Sequence, residues 1–125
     1  MPEPVCQSQK YTFENLDSIA ANTKYLGDAT KAAWVSSGQP ISYDNNVLLT
    51  MAPDTVGTLL ASTSYMWYGN VKAVFKTSRG QGVVTAFILL SDVKDEIDYE
   101  FVGVDLEHAQ SNYYFQGIPN CEFLK

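Results

Sequence analysis

The chain has 125 residues, 46% of them apolar and 13% aromatic, which is enough for one small packed domain and unlike a disordered segment. Eight Lys and Arg against fourteen Asp and Glu leave a net charge of −6, so neither a nucleic-acid backbone nor an anionic membrane is expected as partner, since both need clustered cations. Eight Tyr, six Phe and two Trp, set among many Val, Ile and Thr, favour strands over helices.

In chain order, MPEPVCQSQK carries no apolar h-region, so no signal peptide is expected on this chain, and residues 1–9 read as a loose tail. KYTFEN (10–15) alternates Tyr11 and Phe13 with polar neighbours and predicts a first strand. From Asp17 to Ala33 the small residues predict a loop with one helical turn. Trp34–Val35 begins a short strand that SSGQP ends. Val47–Met51 is apolar, and Pro53 and Gly57 punctuate the stretch after it. Leu59–Met66 and Val71–Thr77 read as strands bent at Tyr68-Gly69-Asn70, with Val71, Ala73 and Phe75 alternating against Lys72, Val74 and Lys76. SRGQG (78–82) is a turn, and the apolar run Val83–Leu90 predicts a strand buried on both faces. Glu96–Val102 and Ala109–Gln116 come next, joined by a loop at 103–108. Seven or eight short strands at about ten-residue spacing predict an antiparallel sandwich with no internal boundary.

No apolar run approaches the length of a membrane span. One histidine and no CxxC pair leave zinc without a ligand set, and no cofactor is implied. Cys6 and Cys121 admit one long-range disulfide or two free thiols, and spacing does not choose between them.

The acid is concentrated: Asp92, Asp95, Glu96, Asp98, Glu100, Asp105 and Glu107 place seven of the fourteen carboxylates in residues 92–107. In a strand, residues i, i+2 and i+4 share a face, so Glu96, Asp98 and Glu100 point one way while Ile97, Tyr99 and Phe101 form the core face. A slip by one residue would bury three acids, which fixes the register. Carboxylates about 6–7 Å apart along a strand oppose one another's ionisation. Chemistry that wants one acid protonated and another ionised accounts for such crowding. So does a divalent-metal site, or a merely acidic sheet face; a metal fits Asp95, Glu96 and Asp98 poorly, because Asp95 points away from Glu96. Retaining glycoside cleavage needs a nucleophilic carboxylate and an acid/base about 5–5.5 Å apart. Glu96 and Glu100, with Cα atoms about 13 Å apart, can close most of that gap by leaning inward. Asp98 stands between them to hydrogen-bond the nucleophile.

DEIDYEFVG (95–103) resembles the E-x-D-x-E signature of glycoside hydrolase family 16, in the form without an inserted residue before the last Glu. The flanks are similar to the fungal Crh-type cell-wall chitin–glucan transglycosylases: GTLLASTSYMWYGNVKAVFKTSRGQGVVTAFILLSD (57–92) upstream, and Gln110-Ser111-Asn112-Tyr113-Tyr114 downstream. Plant xyloglucan endotransglycosylases share the motif but have a Pro-containing continuation. The similarity runs from about Val47 to Gly117.

The resemblance implies an all-β, concanavalin A-like jelly-roll sandwich with an open cleft, in which Glu96 is the nucleophile, Asp98 its helper and Glu100 the acid/base. It implies residues 1–40 as a poorly matched segment and 41–125 as the N-terminal part of a catalytic domain, because such sandwiches commonly run to about 200–250 residues. Gln110 and Asn112 fall on one face of the next strand, where they reach sugar hydroxyls. Tyr65, Trp67 and Tyr68 are candidates for stacking on pyranose rings, with core packing as the competing reading; His108 is expected to be a loop residue without a role. Chitin as donor, β-glucan as acceptor and an extracellular, cell-wall location are implied in the same way. Simple β-glucan hydrolysis and non-catalytic glycan binding remain the alternatives.

Overall fold

A computed structural model describes residues 7–119, and Cys6 and Cys121 lie outside them. The described residues form nine strands and no helix, so the chain is all-β as expected. The strands are β1 (Ile19–Ala21), β2 (Trp34–Ser37), β3 (Pro40–Tyr43), β4 (Asn46–Leu49), β5 (Leu59–Ser62), β6 (Val84–Leu90), β7 (Glu96–Val102), β8 (Gln110–Phe115) and β9 (Ile118–Pro119). They fall into two compact units, one running to Val71 and the other from Lys72 onward.

The first unit holds a three-stranded sheet in the order β1-β2-β5 and a separate β3–β4 hairpin. β1 and β2 are parallel, and residues 22–33 supply the dozen or so residues that a parallel crossover needs. That crossover opens on a single turn, with Lys24 N and Tyr25 N both donating to Ala21 O, inside the loop expected there, while β1 was not foreseen. The β3–β4 hairpin closes through Asp44 and Asn45, both at positive φ, the geometry that a two-residue turn between right-twisted strands requires. Gly38, between β2 and β3, is at φ 77 and would drive a Cβ into the backbone of Gly57 and Thr58. The strand expected at 10–15 does not form. Phe13 sits at φ 56, which breaks an extended run, and the segment packs its rings instead, with Tyr11 and Phe13 lying 5.4 and 5.5 Å from Trp34. β5 is shorter than the expected 59–66.

The second unit is an antiparallel meander in the order β6-β7-β8-β9, every strand beside its chain neighbour. Ala73 and Phe75 keep the alternation read from sequence, yet residues 72–77 form no strand. Phe75 packs its ring on Phe87 and Phe101, at 6.5 and 5.3 Å, so the segment lies on a sheet face through side chains rather than on an edge through its backbone. Two burial expectations are corrected. β6 is not covered on both faces: Val84, Ile88 and Leu90 are exposed. The supposed core face of β7 is also open, with Ile97 and Tyr99 exposed by half or more. Among the described residues Ala32 is the one buried apolar side chain, while two polar ones, Ser36 and Asp98, are buried. The strands have formed with their apolar faces left open to solvent.

Candidate active site

β7 alternates Glu96, Asp98 and Glu100 with Ile97, Tyr99 and Phe101, and its pairings on both sides decide what surrounds each acid. On one side Glu100 stands opposite Gln110, Asp98 opposite Asn112 and Glu96 opposite Tyr114. On the other side the same three face Ala86, Ile88 and Leu90. Residues directly paired across antiparallel strands share a face, so the three carboxylates, Gln110 and Asn112 lie together on one side of the sheet. Tyr114 shares that face and was missed by the sequence reading. The i+2 step that links Gln110 to Asn112 extends to it, and taking the step once more would have found it.

Asp98 is the one buried residue of this strand. Asp98 is 3% exposed, and Glu96 and Glu100 are half-buried. Taking a carboxylate out of water is costly unless hydrogen bonds replace its hydration. Asn112 supplies one, its Nδ2 donating to Asp98 Oδ1 at 2.9 Å and also to Glu100 Oε2 at 3.4 Å. An amide facing two carboxylates must present its NH₂ end, since its oxygen would meet only other acceptors.

Two turns hold the head of β7. Asp95 N donates to Ser91 Oγ and Ser91 N to Asp95 O, closing the β6–β7 turn around Lys94 at φ 65. Asp95 Oδ1 then accepts from Gln116 N at 2.9 Å, and Gly117 N donates to Lys94 O at 2.9 Å, which ties the β8–β9 turn onto the first. Asp95 therefore has a structural partner of its own. Among the described residues no cluster of His, Cys, Asp and Glu is arranged to hold a metal ion. On the opposite face, Ala73, Phe75, Phe87, Tyr99 and Phe101 line a shallow apolar depression of about 120 Å³.

Tyr65, Trp67 and Tyr68 belong to the first unit, on a bend after β5. All three are more than 70% exposed, so the core-packing reading of these rings does not hold, and Trp67 and Tyr68 meet edge to face at 6.1 Å. His108 lies in a loop, as expected, with its Nδ1 3.0 Å from both carboxylate oxygens of Asp105. That bond, ahead of the backbone N–H of Glu107, holds the Asp105 carboxyl below its usual value. Asp28 is lowered in the same manner by the hydroxyl and backbone N–H of Thr30. Both carboxylates stand in loops between strands. No helix long and apolar enough to cross a membrane occurs among the described residues.

Residues 28–124 match glycosyl hydrolases family 16. The chain is 71% identical to Crh-like protein 3 of Botryotinia fuckeliana over 98% of its own length and 28% of the relative's. It is 62% identical to Crh-like protein 2 of Aspergillus fumigatus, over 94% of the chain and 27% of that protein. Congo red hypersensitive protein 2 of Saccharomyces cerevisiae is 44% identical over 96% of the chain and 26% of its own length. The chain thus spans about a quarter of the length of these curated relatives. No solved structure matches it.

Proposed function

Because this chain belongs to glycosyl hydrolase family 16, we propose that β7 carries the chemistry of a retaining glycosidase or transglycosylase acting on β-linked cell-wall polysaccharide. The observation that supports this reading best is the buried Asp98, flanked on one sheet face by two half-buried glutamates. A Glu96 carboxylate oxygen attacks the anomeric carbon while the bond to the glycosidic oxygen breaks, and the proton of Glu100 passes to that oxygen as it leaves. Glu100, now ionised, takes the proton of an incoming hydroxyl. The hydroxyl oxygen attacks the same carbon and displaces Glu96, so configuration is retained over two inversions. Asp98, next to Glu96 on the same sheet face, assists in the step where Glu96 must leave again.

Whether the incoming hydroxyl belongs to sugar or to water distinguishes transfer from hydrolysis. Chitin as donor and β-glucan as acceptor, at the cell wall, are the substrates and place that the resemblance of residues 57–92 and 95–114 to the Crh-type transglycosylases implies. Gln110 reaches sugar hydroxyls from beside Glu100. Within the first unit, taken by itself, the exposed Tyr65, Trp67 and Tyr68 are ring faces suited to stacking on a sugar. The site lies within residues 28–124, the stretch that matches the family.

In the full-length protein, Glu96→Gln is expected to abolish turnover and to prevent a covalent glycosyl-enzyme from accumulating. Glu100→Ala is expected to keep activity on an aryl glycoside, whose leaving group needs no proton, and to recover with added azide. Turnover by Glu96→Gln within tenfold of wild type rejects the nucleophile. Rescue of Glu96→Gln but not of Glu100→Ala by azide exchanges the two roles. Adding a labelled glucan oligomer to a chitin-oligomer reaction reads transfer directly.

A further inference from the structure

We infer that Asn112 is a positioning residue that fixes which oxygen of Glu100 carries the proton, rather than a sugar-binding residue; the inference rests on the acid/base role proposed for Glu100. Its amide nitrogen spans two carboxylates, with Asp98 Oδ1 at 2.9 Å and Glu100 Oε2 at 3.4 Å. An amide NH₂ has two hydrogens, and here one goes to each acid. Neither remains for a substrate hydroxyl. The register brings these groups within reach: Asn112 is paired directly with Asp98, and Glu100 lies one i+2 step along the same face.

The two bonds differ in length, and the difference bears on function. The short one anchors the amide on Asp98, which is buried and needs a donor in place of water. The long one tethers Glu100, a half-buried group that has to give up a proton and regain it. With Oε2 occupied by an N–H donor, a protonated Glu100 carries its hydrogen on Oε1, the oxygen left for the glycosidic bond. When Glu100 ionises, the same N–H still donates to Oε2, so the contact survives both halves of the cycle. A neutral donor is what such a role requires. A lysine in its place would hold Glu100 ionised, and an aspartate would add one more carboxylate to a face already crowded with them.

The test compares donors in the full-length enzyme. Asn112→Ala is expected to lower kcat on an unactivated oligosaccharide on the order of 50-fold, part of what a well-placed general acid contributes. An aryl glycoside with azide as acceptor bypasses Glu100 in both half-reactions, and there the loss should be at least tenfold smaller. KM should stay within twofold on both donors. Asn112→Ser, which keeps one donor hydroxyl, should fall between Ala and wild type, and it carries the same comparison if Asn112→Ala fails to fold. Equal losses on the two donors, or a rise in KM without the donor-dependent loss in kcat, overturn the positioning role and return Asn112 to sugar binding. Failure of the acid/base reading itself shows differently: Glu100→Ala would then lose as much on the aryl donor with azide as on the oligosaccharide.

Discussion

Gly103 ends the strand that carries the three carboxylates, in a space that admits no Cβ. It is buried, its N–H donates to Val83 O at 2.8 Å, and its carbonyl accepts from Gly80 N at 3.0 Å. A methyl group there would press on the Gly80 carbonyl oxygen and on the backbone of Val83. The constraint is close approach alone, because the φ of Gly103 is not in the left-handed region. Gly103→Ala is therefore expected to cost about 2 kcal/mol, the usual range for forced overpacking, and to lower the urea midpoint of the full-length protein. A midpoint equal to wild type would show that the Gly80 loop yields freely. At this scale the sequence was readable wherever alternation applied: Glu96, Asp98, Glu100, Gln110 and Asn112 come directly from the i, i+2 rule. Gly103 was legible only as part of a loop, since a lone glycine does not say which backbone approaches it. The two bonds of Asn112 were hidden for a related reason, because they depend on pairing register and not on spacing within one strand.

Among the elements, β7 was legible to the residue because a slip of one position would exchange three acids for three apolar side chains. The segment from Lys72 to Thr77 shows the limit of that logic. Its alternation told correctly which side chains share a face, but a ladder also needs a partner strand, and periodicity carries no information about partners. The ends of β7 depend on turns whose chemistry is local. Asp95 accepts from the backbone of Gln116, a non-glycine residue at φ 50, so one carboxylate stabilises a turn on another strand pair. Asp95→Ala is expected to cost about 1 kcal/mol and to speed amide hydrogen exchange at Gln116 and Gly117. Asp95→Asn keeps an acceptor oxygen and should recover most of the protection. Unchanged exchange at Gln116 in Asp95→Ala would remove Asp95 from this role.

For the whole molecule, burial was the least legible property. Val83–Leu90 reads as a strand covered on both sides, yet Val84, Ile88, Leu89 and Leu90 are exposed, as are Ile97 and Tyr99 on β7. Hydrophobicity states what a strand would gain by being covered and says nothing about whether a cover lies within the same residues. Open apolar faces of this kind promote association. The 125-residue chain made alone is expected to self-associate at micromolar concentration in sedimentation, and Ile97→Lys, on the face opposite the acids, is expected to shift it toward monomer. A wild-type chain that sediments as a monomer throughout that range contradicts the expectation. The meander order of β6 to β9 has a consequence for biosynthesis. Among the described residues each of these strands hydrogen-bonds as a ladder with its chain neighbours, so the pairings close short loops and form early. On the ribosome the β6–β7 hairpin can set its register as soon as Val102 has left the tunnel. β8 then adds Asn112 to a strand on which the acids have already been sorted to one side. The carboxylate face is thus assembled in the order in which it is translated.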